Sequence, residues 1–179
     1  MGGTTNLTDK KVIIGIVAVA VVIVVIGAAF ALTVLSQVVF LKNGDYVTFD
    51  VTGTDQNGNP ISGQMRMTVS NVSGASCDFL YEYPGLGVPT STHHMSQVPA
   101  LTTPADLGSR TQNNVNLPTA YGDKTVNVYV KNVDNQVWTS YAGVNPLVQY
   151  KIVVTIESGT MTFVLSQTNI DKVKTGNAA

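Results

Sequence analysis

The sequence predicts a mainly β protein, in which a long N-terminal hydrophobic helix leads into an antiparallel β-sandwich. Three observations carry that expectation. Residues 12–41 are thirty positions without one Asp, Glu, Lys or Arg. From residue 45 onward, apolar and polar side chains alternate in several short runs, which is the period of a half-buried strand. The dipeptides Asn57-Gly58, Pro84-Gly85 and Ser158-Gly159 then punctuate those runs as turns do.

The apolar run comes first. A helix of that length spans about 45 Å, against roughly 30 Å for the hydrocarbon core of a bilayer. Residues 12–35 are the most continuously aliphatic and suffice for a crossing, while Ser36 and Gln37 begin an interfacial end or stalk. Lys10 and Lys11 precede the run, whereas Lys42 beyond it is offset by Asp45 and Asp50. The positive-inside tendency therefore places residues 1–11 in the cytoplasm and the C-terminal domain outside. A cleaved signal peptide is the competing expectation, because Ala29-Phe30-Ala31 has the small-x-small form of a cleavage site. Its apolar segment would exceed the usual length of about 7–15 residues, which favours retention as a signal anchor. Gly27 and Ala31, four apart, would let two such helices approach closely.

About 135 residues follow, enough for one domain with a core of its own, assigned here to residues 42–170. In 45–54, Val47, Phe49 and Val51 alternate with Thr48, Asp50 and Thr52. Asn57-Gly58 turns the chain into a returning strand with Met65, Met67 and Val69 inward. The aromatics of 77–83 favour a third strand. Between Pro84 and Pro118 the pattern dissolves into Pro, Gly, Ser, Thr and Asn, and the reading places only a short helix there, near residues 103–107, where Thr103 precedes Pro104. Alternation resumes at 124–130, returns through 136–142, and ends with two strands around Ser158-Gly159. Seven antiparallel strands joined by turns make an immunoglobulin-like sandwich the expected architecture. Residues 171–179 are expected to fray.

Composition narrows the function. Charged residues are 12% and the formal net charge is −1, so no basic field exists to hold nucleic acid. The single cysteine, Cys77, excludes an intrachain disulfide framework. His93, His94 and Met95 are the one cluster with metal-binding chemistry, since imidazole and thioether both bind copper. Adjacent histidines do not usually share one metal face, and the chain has no third, so no metal or other cofactor is expected. Asp55, Asn57 and Asn59 alternate as in a calcium loop, but Pro60 and Arg66 stand where Gly and Glu are required. Nothing points to a nucleophilic serine, and Glu82 and Glu157 read as outward strand residues, so no enzyme is expected. Trp138 and Tyr141 would mark a contact surface if exposed together. Two glycosylation sequons, at Asn6 and Asn71, bracket the apolar run, and outward placement of the domain makes Asn71 the acceptor.

This layout of an apolar anchor and a Thr- and Asn-rich strand domain of low charge resembles the surface proteins of archaea, those of thermoacidophiles in particular. It is also similar to archaeal type IV pilins, which share the plan of a long apolar helix and a β domain. Pilin precursors carry a basic residue and then Gly or Ala before the cut, whereas here Lys10 and Lys11 are followed by Val12. The expectation is a noncatalytic, single-pass envelope protein whose partners are the bilayer and other envelope proteins or copies of itself. A pilin-like filament subunit is the alternative, and a copper-binding accessory domain the second.

Overall fold

The computed structural model describes residues 41–54, 58–74, 76–95, 104–157 and 159–179. The expected apolar helix, with Gly27, Ala31 and Asn6, lies outside them except for Leu41. Among the described residues no helix is long and apolar enough to cross a membrane.

The protein is mainly β. Its strands are β1 (Tyr46–Thr54), β2 (Pro60–Ser73), β3 (Ser76–Glu82), β4 (Ser91–Met95), β5 (Ser109–Thr119), β6 (Gly122–Val133), β7 (Gln136–Val144), β8 (Leu147–Ile156) and β9 (Gly159–Thr168). They form one antiparallel sheet in the order β4-β3-β2-β1-β9-β8-β7-β6-β5. Every neighbouring pair is consecutive along the chain except β1 and β9. Two meanders therefore meet where the first strand pairs with the last. Among the described residues, nine strands in a single sheet stand where the sequence reading expects seven in a sandwich. The two additional strands, β4 and β5, are the sheet's edges, and all but the last residue of β5 fall in the stretch 84–118 that lacks alternation. The 3-10 turn Pro104–Leu107 also lies there, with Leu107 buried.

Alternation drives this arrangement. In β3 the inward residues Cys77, Phe79 and Tyr81 are each 1% exposed, and their neighbours are half-buried. Phe49 and Met67 of one meander share a continuous apolar cluster with Trp138, Tyr150 and Phe163 of the other. The apolar cluster thus runs through both meanders. Each large apolar side chain taken fully from water stabilises the fold by about 1.5–3 kcal/mol.

The C-terminus corrects the expectation of a frayed tail. Residues Asp171–Thr175 form a short helix, α1, whose Val173 is 0% exposed within the core. Beyond it, Thr125 N–H donates to the Asn177 carbonyl (2.8 Å) and Ala179 N–H to that of Asp123 (3.2 Å). The segment thereby pairs with the first half of β6, which precedes the β7 ladder beginning at Asn127. Tyr150 Oη donates to the carbonyls of Val173 and Gly176, both at 3.1 Å. Lys124 is 2% exposed, and its ammonium donates to the Lys174 carbonyl at 2.5 Å. A buried cation of this kind depends on such a partner, because desolvation of an unpaired charge costs several kcal/mol. Val173 is the one apolar anchor in "DKVKTGNAA"; the rest docks through backbone groups that composition does not reveal.

Candidate functional site

Neighbouring strands alternate in direction, so the start of β1, the end of β2, the start of β3, the end of β4 and the end of β9 share one end of the sheet. Chain position 41, the last of the apolar run, lies at this end. Leu41, its last residue, is half-buried against the core cluster. The next residues are held on both sides. Gly44 N–H donates to the Val69 carbonyl (2.9 Å), Val69 N–H donates to the Asp45 carbonyl (2.8 Å), and Val72 N–H donates to Asn43 Oδ1 (2.9 Å), all on β2. On the β9 side, Asn169 accepts from Tyr46 N–H (2.8 Å) and donates to the Gly44 carbonyl (3.0 Å). Lys42 N–H donates to Asp45 Oδ2 (2.8 Å), closing the turn at Asn43-Gly44. The connection between run and sheet is therefore a hydrogen-bonded turn with no spacer.

A polar chain crosses the outer face at the same end. Asn71 Nδ2 donates to Asp78 Oδ2 (2.6 Å), and His94 Nδ1 lies 2.5 Å from Asp78 Oδ1. Both carboxylate oxygens are engaged. The bond from Asn71, and then that from His94, holds the Asp78 carboxyl below the usual carboxylate range. His94 belongs to an edge strand of five residues, so this contact ties β4 to β3 beyond its backbone ladder.

The remaining candidates are dispersed. His93 stands opposite Phe79 in the ladder, His94 opposite Asp78, and Met95 opposite Cys77. Successive strand residues point to opposite faces, so the two imidazoles cannot converge on one ion. The His93 ring meets Tyr81 edge-on, with centroids 5.2 Å apart. Burial pushes the Cys77 thiol pKa up, and Asp78 adds to that, which disfavours the thiolate a metal needs. Among the described residues no three His, Cys, Asp or Glu side chains are grouped to hold a metal ion. Trp138 and Tyr141 do not form the exposed aromatic pair that would mark a contact surface. Trp138 lies in the core and donates to Gln136 Oε1 (3.1 Å), and half-buried Tyr141 carries the Lys151 ammonium 5.2 Å from its ring centroid. Glu82 closes β3, while Glu157 lies in the turn after β8 rather than in a strand. Of the calcium-like positions, Asp55 and Asn57 lie outside the described residues.

Sequence reasoning singled out Asn71 and the two histidines but missed Asp78, Asn43 and Asn169, the residues that organise this end. The signal available for Asn43 was its place before Gly44, a turn pair directly after an apolar run. The fold and site together define an all-antiparallel β domain fastened to the end of an apolar segment. No family model matches the chain, and no match is found among curated proteins.

Proposed function

We propose that this protein is a noncatalytic, single-pass membrane-anchored envelope protein. Residues 12–41 hold it in the bilayer, and the β domain lies outside the cell, where it makes structural or protein–protein contacts as a subunit of a surface assembly. In this reading the two meanders of the sheet face each other as the layers of an immunoglobulin-like sandwich do. The observation that carries it is the junction. Residues 43–46, directly after the apolar segment, are tied into β2 and to Asn169 beyond β9, which leaves no free spacer; that suits a subunit and has no use in a tethered domain that must range freely.

The same junction supports a second reading, a filament subunit whose apolar helices pack together while the sheets face outward. Extraction separates the two. The anchored protein comes out of membranes in detergent as discrete particles with the β domain open to protease from outside, and the filament subunit is recovered as sheared fibres. Recovery of the intact chain, residues 12–41 included, as a cytosolic monomer sinks both.

A further inference from the structure

We propose that Asn71 is an N-glycan acceptor that can be filled only before β3 closes onto β2, so that folding of this hairpin ends the period of modification. The inference rests on the outward placement of the domain and adds the timing of the reaction and what enforces it.

The sequon Asn71-Val72-Ser73 is on the surface, with Asn71 and Ser73 both exposed. Surface exposure alone would make it an open acceptor at any time. The folded hairpin, however, holds each part of it. Asn71 has φ +51°, a left-handed conformation that interrupts the extended strand. The β2–β3 register shifts between Ser70 and Ser73. Its Nδ2, the atom that must react, already donates to Asp78 at 2.6 Å. Val72 N–H is taken by Asn43, and the Ser73 carbonyl accepts from Ser76 Oγ at 2.8 Å. A transferase that draws an extended acceptor peptide into its own groove has to undo all of these at once, which requires local unfolding of the hairpin.

In the reaction, Nδ2 forms a bond to the anomeric carbon of a lipid-phosphate-linked oligosaccharide. The bond from that carbon to the phosphate oxygen breaks, the lipid phosphate leaves with the electron pair, and one Nδ2 proton passes to solvent. The product amide keeps one N–H. That hydrogen remains able to meet Asp78 once β3 docks, so the hairpin closes over the linkage without losing its polar partner.

The test compares the full chain in two states with membranes carrying the transferase and its lipid-linked oligosaccharide, read by mass spectrometry of the peptide containing Asn71. Urea-unfolded chain diluted into the assay is expected to be modified during refolding. Folded chain is expected to react at least about tenfold more slowly, the rate being gated by hairpin opening. The double variant Asn43→Ala, Asp78→Ala removes the two side-chain clamps on Asn71 and Val72 while leaving the sequon and the core, and is expected to raise modification of the folded state; an unchanged folded-state rate overturns the assignment of these clamps. Equal rates for folded and unfolded chain overturn the proposal, as does an unmodified Asn71 in a chain shown by protease accessibility to lie outside the cell. Modification at Asn6 with Asn71 bare in cells instead overturns the outward placement itself, and the comparison of folded with unfolded chain distinguishes that failure from failure of the timing.

Discussion

The centre of the sheet and its edges follow different physical rules. Strands β1 and β9 have neighbours on both sides and contribute to the shared core, so buried Val47, Phe49, Val51, Met161, Phe163 and Leu165 stand at every second position as an inward strand face demands. The edge strand β5 has eleven residues, and the first six, Ser109 to Asn114, are all exposed before half-buried Val115. Its register shifts on both sides of Gln112, and Pro118 lies in it, devices that keep an open edge from pairing with other chains. The lesson is that hydrophobic period reports burial. A strand that pairs through its backbone and buries little writes no such pattern.

Substitutions can break this comparison at several strengths. The largest effect is expected at the centre: Phe163→Ala, at 0% exposure, should cost about 3–5 kcal/mol in denaturant unfolding because it leaves a cavity in packed surroundings. Gly108→Ala tests where the edge begins. Gly108 has φ +103°, and a Cβ there would run into the Val130 carbonyl, so a loss of about 1–3 kcal/mol is expected, with faster hydrogen exchange in β5. Tyr150→Phe removes the hydroxyl that joins a central strand to the docked C-terminus. It should cost about 1–2 kcal/mol and raise exchange in residues 171–179 more than elsewhere.

Two further tests sharpen the contrast at the edges. The Asp78 carboxyl titrates below its unfolded value, so its contribution to holding β4 is fully present above the ordinary carboxylate range and is lost as pH falls through the lower folded value. Amide exchange in residues 91–95 should therefore rise on strong acidification, and Asp78→Asn should abolish that pH dependence. Asn116→Ala, which removes an exposed bond to Asp123 Oδ2 (3.0 Å), should change stability by less than about 0.5 kcal/mol. A change as large as that at Phe163 would mean that the edge contributes to the core after all.

The same distinction explains which parts of the molecule were legible. Seven of the nine described strands, the antiparallel pairing of β1 with β2 and the short turn Pro104–Leu107 could be read because each writes a local signal, in period or in turn chemistry. The edges could be suspected only from the improbability of a long structureless loop inside a compact domain. At the entry end, Asn71 was visible as a sequon and His94 as a histidine. Their joint engagement of Asp78 was not, because it joins residues on three strands whose register no local pattern specifies.

By itself the sequence determined that this chain has an apolar segment too long to be left in water, followed by an antiparallel β domain with little charge and one cysteine. Those properties depend on composition and on periods of a few residues. Tertiary structure decided that β1 pairs with β9, that the strands form one sheet, that the C-terminal residues dock, and that residues 42–46 form a clamped turn. Each of these is a contact between distant positions, made by backbone groups and short polar side chains whose partners exist only once the chain has folded.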